Sequence, residues 1–134
     1  MKYLLALVLL LFTIVESSKE CIGEEMPASD RLRVGIKSRP ETCSQKTKKG
    51  DELLVHYDGK FYKTCEIFDS TRSRGVPFQF TLGNSEVIEG WDQGLMSMCI
   101  GEVRKLSIPS HLGYSGGPSL VYEIELISIS STQE

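Results

Sequence analysis

Aromatic side chains recur between residues 57 and 114 beside apolar and acidic neighbours. Such rings can form an apolar pocket, and a few polar groups at its edge can orient a ligand without a covalent bond. The sequence has none of the serine, zinc-binding or phosphate-binding motifs that indicate other chemistry. Each ring taken alone is equally typical of an ordinary core. The groups are Val55-His56-Tyr57-x-Gly59, Ile67-Phe68-Asp69-Ser70, Pro77-Phe78-x-Phe80-x-Leu82-Gly83, Val87-Ile88-x-Gly90-Trp91 and Leu112-Gly113-Tyr114.

Strands are the elements that must position most of these groups. In five segments apolar residues alternate with polar or small ones, which is the pattern of a strand with one buried face. In the first segment, Leu32, Val34 and Ile36 are expected to be buried together. The five segments are 31–37, 51–61, 78–82, 103–108 and 120–129.

One segment has a helical pattern instead. From Ser85 to Met98, apolar residues recur at the spacing of an amphipathic helix, with Ser85 as the expected N-cap. Gly90 and Gly94 each weaken a helix by about 1 kcal/mol relative to alanine. We therefore expect a short helix, or an element packed closely against the helix backbone. Together the elements predict an α+β fold in which a twisted five-stranded antiparallel sheet wraps around one short helix.

The N-terminus has the layout of a cleaved signal peptide, with Lys2, an apolar run over 3–15 and the small residue Ser17. An uncleaved membrane anchor is the weaker alternative. A helix formed by the apolar run would be about 20 Å long, whereas the hydrocarbon core of a membrane is about 30 Å thick. The final Ser-Thr-Gln-Glu is not a retrieval signal, so both the endoplasmic reticulum lumen and the exterior are expected destinations. The expected divisions are a signal peptide (1–17), an N-terminal segment (18–30), a domain (31–130) and a tail (131–134).

The net charge and the histidine spacing argue against nucleic-acid and zinc binding, and the cysteine count favours disulfides. The net charge of −3 leaves no large basic field for nucleic acid. His56 and His111 stand at no spacing typical of a zinc site, so we expect no metal. In an oxidising compartment an even number of cysteines favours disulfides, and the sequence leaves all three connectivities of four sulfurs open. The cysteines are Cys21, Cys43, Cys65 and Cys99.

The aromatic groups, taken together, resemble the FKBP family of peptidyl-prolyl isomerases over Leu32 to Ile129. Val87-Ile88-Glu89-Gly90-Trp91, followed by Gly101-Glu102 and Lys105-Leu106-x-Ile108-Pro109, is the most specific part of the resemblance. The Trp-Asp-Gln-Gly-Leu segment from Trp91, with Cys43 and Cys99, is similar to the endoplasmic-reticulum branch. The resemblance implies isomerase activity without a cofactor and a Cys43–Cys99 disulfide, and it leaves Cys21 and Cys65 either paired or free.

The resemblance also implies a role for each site residue. Trp91 is expected to form the pocket floor, and Asp69 and Tyr114 the polar rim, with the Tyr114 hydroxyl and the Ile88 N–H offered to substrate carbonyls. Arg74 is expected to brace Asp69 and Tyr57. Tyr122 stands where the family usually has phenylalanine, and its added hydroxyl needs a partner if it is buried. The expected walls are Tyr57, Phe68, Phe78, Val87 and Ile88. The residues expected to take part in catalysis are Asp69, Tyr114, Tyr57, Phe68 and Trp91.

One loop departs from the family pattern. Between Tyr114 and Leu120 the chain has only Ser-Gly-Gly-Pro-Ser, about nine residues fewer than the family's loop over the pocket. We expect the short loop to make a tight reversal, and to weaken both catalysis and the binding of macrolides such as tacrolimus and rapamycin. Two functions are therefore expected as alternatives. The first is an isomerase that acts as a monomer on proline-containing peptides and unfolded secretory clients. The second is a catalytically weak or inactive binding module for a partner protein.

Overall fold

The structure, a computed structural model, describes residues 19–131. The expected signal peptide therefore lies outside the described residues, as do the last three residues of the expected tail. No helix in the described part of the chain is long and apolar enough to cross a membrane. The strands are β1 (Arg33–Ser38), β2 (Glu52–Phe61), β3 (Ile67–Ser70), β4 (Phe78–Thr81), β5 (Val103–Ile108) and β6 (Leu120–Ser130). The helices are α1 (Thr71–Arg74) and α2 (Glu89–Gly94), with a 3₁₀ turn at Ser110–Leu112.

The strands form one antiparallel sheet in the order β1-β5-β6-β2-β3. The long strand β2 has two partners on its outer side, since Val55 lies opposite Phe78 of β4 while Gly59 lies opposite Asp69 of β3. The α+β fold with an antiparallel sheet is confirmed, but the sheet has six strands instead of five. The additional strand β3 has only four residues and is too short to show an alternating pattern.

The core lies on one face of this sheet. The alternation predicted for β2 and β6 is confirmed, because every second residue from Leu53 to Tyr57 and from Leu120 to Leu126 is buried in a single cluster. That cluster consists of Leu53, Val55, Tyr57, Phe80, Leu82, Trp91, Leu95, Met98, Leu106, Ile108, Leu120, Tyr122, Ile124 and Leu126.

The buried face predicted for β1 is wrong. Val34 and Ile36 are 47% and 49% exposed. Strand β1 is at the edge of the sheet, where it pairs only with β5. The backbone of α2 lies against Ile108 and Leu106 of β5, so the helix covers β5 and leaves the outer strand open to solvent.

The helix is shorter than its apolar stripe suggests. It spans six residues, Glu89–Gly94, and its N-cap is Ile88 instead of Ser85. Ser85 has a φ of 55° and donates its N–H to the Asp92 carboxylate at 3.2 Å, so the chain turns there before the helix begins. A second short helix, α1, was not predicted from the sequence.

Both helix glycines lie against large side chains of β5. A Cβ atom at Gly90 would lie 2.7 Å from Cγ2 of Ile108, and one at Gly94 would lie 2.8 Å from Cδ2 of Leu106. These distances are too short for a real Cβ contact. The close packing expected from these glycines is therefore confirmed, and it brings Trp91 down onto the sheet.

Two disulfides join distant parts of the chain. Cys43 is bonded to Cys99 across a Cα–Cα distance of 5.6 Å. Cys21 is bonded to Cys65 across 5.1 Å, and this bond attaches the N-terminal segment to the hairpin between β2 and β3. All four cysteines are therefore paired.

Candidate functional site

An open cleft of about 440 Å³ lies between the sheet and the start of α2. It contains nine of the ten residues that the sequence assigned to substrate binding. The tenth, Arg74, does not line the cleft and instead contacts Asp69 from outside. The lining residues are Tyr57, Phe68, Asp69, Phe78, Glu86, Val87, Ile88, Trp91, Tyr114 and Tyr122.

Trp91 lies at the bottom of the cleft among rings that meet it nearly edge-on. Its ring centroid is 5.0 Å from that of Tyr57 and 5.1 Å from that of Tyr122, with interplanar angles of 81° and 90°. Such edge-to-face pairs are favourable and hold each ring in one orientation. Trp91 is only 4% exposed, and its Nε1 has no hydrogen-bond partner among the described side chains and backbone. The bottom of the cleft is thus a closely packed aromatic ring.

Gly59 allows two of the walls to meet. A Cβ atom at this position would lie 2.8 Å from Cζ of Phe68 and 2.8 Å from Cε1 of Tyr122. The ring centroids of Phe68 and Tyr122 are 5.7 Å apart, with an interplanar angle of 88°. The glycine two residues after Tyr57 is therefore required by the packing of these rings over β2.

Two rings mark the mouth of the cleft. Phe78 stacks on the buried Phe80, with centroids 5.7 Å apart, and is partly open to solvent. Tyr114 is 58% exposed. Ile88 lies between mouth and floor, and its backbone N–H donates to no group within the described part of the chain. The cleft therefore combines an apolar interior with polar groups that a ligand can reach.

Asp69, Tyr57 and Arg74 form the charged part of the rim. The Tyr57 hydroxyl and the Arg74 guanidinium both donate to the Asp69 carboxylate. The hydrogen bond from Tyr57, helped by Arg74, lowers the pKa of Asp69 below 3.8 despite partial burial. Burial, and then the hydrogen bond to Asp69, raise the pKa of Tyr57. At neutral pH the rim therefore has a carboxylate held by a neutral phenol and a cation.

Helix α1 brings Arg74 to that carboxylate. Ser70 caps the helix by accepting from the Ser73 N–H, and Gly75 ends it in the left-handed conformation. The buried Thr71 fastens the helix to β2, because its hydroxyl oxygen accepts the Tyr57 N–H at 2.7 Å. The helix that supplies the cation and the strand that supplies the phenol are thus held together.

Tyr122 is buried, and its ring closes the cleft beside Trp91. Burial, and then the neighbouring Tyr114 hydroxyl, raise the pKa of Tyr122 well above its ordinary value. The hydroxyl that distinguishes this residue from phenylalanine therefore stays protonated at neutral pH.

Two residues near the cleft were missed by the sequence analysis. Glu86 lines the cleft, and its carboxylate accepts the Thr81 N–H at 2.7 Å. Phe80 supports Trp91 from within the core, with centroids 5.4 Å apart. Glu86 could have been predicted as a site residue because it directly precedes Val87. The pattern around Phe80 indicates only a strand.

The short loop makes a tight reversal, as predicted. The Gly117 N–H donates to the Tyr114 carbonyl at 2.8 Å, and Gly116 has a φ of 73°. No residue from 115 to 119 lines the cleft. The loop side of the cleft is therefore uncovered.

No group of three or more His, Cys, Asp or Glu side chains suited to a metal ion occurs within residues 19–131. The polar groups of the cleft are hydroxyls, the N–H groups of Ile88 and Trp91, and two carboxylates, and the Asp69 carboxylate is already paired with Arg74. Such an arrangement suits a ligand held by shape and hydrogen bonds.

Comparison with known proteins gives one consistent result. The family model described as FKBP-type peptidyl-prolyl cis-trans isomerase matches residues 43–127. FK506-binding protein 2 of Dictyostelium discoideum is 42% identical over 139 residues, covering 97% of this chain and 100% of that protein. Peptidyl-prolyl cis-trans isomerase FKBP2 of Homo sapiens is 47% identical over 113 residues, covering 78% and 79%.

Two further matches differ in coverage. FK506-binding protein 2B of Rhizopus delemar is 47% identical over 135 residues, which cover 92% of this chain but only 63% of the fungal protein. The crystal structure of AtFKBP13 superposes with a TM-score of 0.64 at 32% identity, covering 74% of this chain and 93% of that one. Fold, aromatic cleft and similarity agree. This chain therefore belongs to the FKBP-type peptidyl-prolyl cis-trans isomerase family.

Proposed function

We propose that this chain accelerates the cis/trans isomerisation of X–Pro bonds in proteins of the secretory pathway. The observation that carries the proposal is the open aromatic cleft, in which an indole floor lies beside a charged rim of Asp69, Tyr57 and Arg74. A prolyl ring is apolar and flat enough to rest on Trp91, while the flanking peptide remains within reach of the rim.

The chemistry needs no covalent intermediate. Rotation about an X–Pro bond breaks the amide resonance over a barrier of about 18–20 kcal/mol. The planar amide is strongly dipolar, and the half-rotated amide is less so. A water-poor aromatic interior therefore favours the half-rotated form over the planar one, which is the differential binding that catalysis requires.

The polar groups hold the peptide that flanks the rotating bond. The Ile88 N–H can donate to a substrate carbonyl, and the exposed Tyr114 hydroxyl lines the same cleft. Phe68 and Tyr57 enclose the amide, while Val87 and the other walls contact neighbouring residues. In this scheme Asp69 fixes the Tyr57 ring and presents a negative charge to the twisting amide.

The remaining assignments extend this proposal. The two disulfides suit an oxidising compartment, which supports the endoplasmic reticulum lumen or the exterior as the site of action. The proposed boundaries are a signal peptide over 1–17, an N-terminal segment over 18–30, the isomerase domain over 31–130 and a tail over 131–134. We further propose that the protein acts as a monomer on unfolded, proline-containing clients.

Macrolide binding is proposed to be weak. Several relatives are named for FK506 binding, and the floor and rim that would hold such a ligand are present. Residues 115–119, however, contribute nothing to the cleft lining. We expect titration with tacrolimus, followed by Trp91 fluorescence, to give a Kd weaker than about 1 µM, because part of the contact surface is missing. Nanomolar affinity would show that the loop is not needed.

The proposal is tested by an isomerisation assay on a proline-containing peptide with the wild type and Asp69→Asn. We expect the substitution to lower kcat/KM about tenfold, because the neutral amide loses its charge-assisted pairing with Tyr57 and Arg74. Asp58→Asn is the matched control, since Asp58 is also paired with an α1 arginine, Arg72, but does not line the cleft.

The outcomes separate the candidate functions. A wild type no faster than the uncatalysed reaction would contradict the isomerase and favour the binding module, which the uncovered loop side also suits. Equal losses in the two variants would contradict a role for the cleft carboxylate and point instead to α1.

A further inference from the structure

The N-terminal segment, residues 19–30, lies against the face of the sheet opposite the main core. Met26 forms a small second cluster with Tyr62 and Val121, and Val121 alternates along β6 with residues of the main core. The segment is fixed at its start by the disulfide between Cys21 and Cys65 and by the Cys21 N–H, which donates to the Tyr62 carbonyl at 2.9 Å. It is therefore an attached part of the domain.

Its contacts converge on Ser119, the residue that ends the short loop. The Glu25 carboxylate accepts both the Ser119 N–H, at 2.8 Å, and the Ser119 hydroxyl. The Met26 N–H donates to the Ser119 hydroxyl oxygen at 3.0 Å, and the Tyr62 N–H donates to the Ser119 carbonyl at 3.0 Å. Ser119 is 2% exposed, so every polar atom of this buried residue is held from outside its own loop.

This anchoring controls the start of the loop as well as its end. Only four residues separate Ser119 from Tyr114, and the Gly117 N–H already ties the turn to the Tyr114 carbonyl. No side chain from 115 to 119 packs into the cleft. Ser115, Gly116 and Pro118 are also exposed, so the loop is held mainly by the hydrogen bonds at its two ends.

We propose that Glu25 is a positioning residue for the cleft. By holding Ser119 it fixes the short loop, and thereby the Tyr114 hydroxyl at the rim, while the Cys21–Cys65 disulfide fixes the segment that carries Glu25. The inference rests on the proposed function, because it assigns Tyr114 a contact with the substrate.

The test compares Glu25→Ala with the wild type in the prolyl-peptide assay. We expect kcat/KM to fall about tenfold, almost entirely through a higher KM, because the Tyr114 hydroxyl holds the planar and the rotated substrate alike and the floor is untouched. Glu25→Gln should keep most of the wild-type kcat/KM, since its amide oxygen can still accept hydrogen bonds from Ser119. The matched control is Glu20→Ala, which removes another carboxylate of the same segment that is paired with Lys105 at 2.8 Å instead of with Ser119.

A double-mutant comparison separates positioning from general stability. In a Tyr114→Phe background, Glu25→Ala should change KM by less than about twofold, because the hydroxyl it positions is already absent. Replacing both Cys21 and Cys65 by alanine should raise KM as Glu25→Ala does. Full additivity of Glu25→Ala with Tyr114→Phe, or an equal effect of Glu20→Ala, would overturn the inference.

The failure of the proposed function is distinguishable from the failure of this inference. If the wild type is inactive, the proposed function fails, and the position of the Tyr114 ring is then read from its NMR resonances. Glu25→Ala should shift those resonances and Glu20→Ala should not. Unchanged Tyr114 resonances in Glu25→Ala would overturn the inference whatever the activity.

Discussion

Replacing Trp91 by alanine is expected to lower kcat/KM for a prolyl peptide by at least about a hundredfold, the largest loss of activity that the structure implies. The indole is the floor of the cleft, and Tyr57 and Tyr122 are both oriented by edge-on contact with it. Its removal would admit water to the surface on which the prolyl ring rests. The apolar environment that favours the rotated amide would then be lost.

The same substitution opens a cavity in the core and should cost about 3–5 kcal/mol in the free energy of unfolding. Two further variants separate these effects. Trp91→Phe keeps an apolar ring and most of the stability, and should lose less activity. Phe80→Leu removes a buried ring that contacts Trp91 but does not line the cleft, so it should reduce stability with little change in kcat/KM. An active, folded Trp91→Ala protein would contradict the assigned floor.

An equally large loss of stability is expected from Arg104→Met, at about 3–5 kcal/mol by urea unfolding at pH 7. Glu102 is completely buried and is paired with Arg104, which is also buried, and with Arg39 at 2.9 Å. Arg104 additionally donates to the carbonyls of Gly94, Met96 and Ser97, at the end of α2 and just beyond it. Its loss would leave the buried carboxylate with Arg39 as its one charged partner and would remove a donor from three carbonyls.

Lys105→Met is the matched control, because the neighbouring cation pairs with Glu20 in a more exposed setting. It should cost no more than about 1 kcal/mol. Equal losses in the two variants would contradict the special role of the buried pair.

The pH dependence of stability provides a second readout of the same pair. Burial acts to raise the pKa of Glu102, but hydrogen bonds from Arg104 and then Arg39 outweigh it and leave the pKa below 4.5. A carboxyl group with a lowered pKa stabilises the fold above its unfolded value and loses that contribution as the pH falls. The stability of the wild type should therefore decrease below about pH 4.5, and Arg104→Met should decrease less.

Much of the fold could be predicted because β2 and β6 bury one face over most of their length. The same alternation gave a wrong prediction of a buried face for β1. The sequence does not show that this strand lies at the edge of the sheet, where the helix does not cover it. The helix boundary failed for a related reason. Val87 and Ile88 have helical spacing with Trp91, but they precede the helix, where an Asp92 carboxylate holds the turn at Ser85.

The candidate site was more predictable than its support. Nine assigned residues meet in one cleft because the resemblance carries their three-dimensional arrangement with it. The pairing of Glu25 with Ser119 spans 94 positions, and that of Glu102 with Arg39 spans 63, so no local pattern indicates either contact. Only the folded arrangement of sheet and N-terminal segment brings these residues together.

The central claim is that the aromatic cleft makes the rotation of a prolyl amide faster, and exchange NMR on a proline-containing peptide tests it most directly. Without the protein, the cis and trans forms of the peptide interconvert too slowly to give exchange cross-peaks between their signals. A catalytic amount of the wild-type protein should make these cross-peaks appear. Trp91→Ala should abolish them. Absence of cross-peaks with the folded wild type would contradict the account, as would undiminished cross-peaks with folded Trp91→Ala.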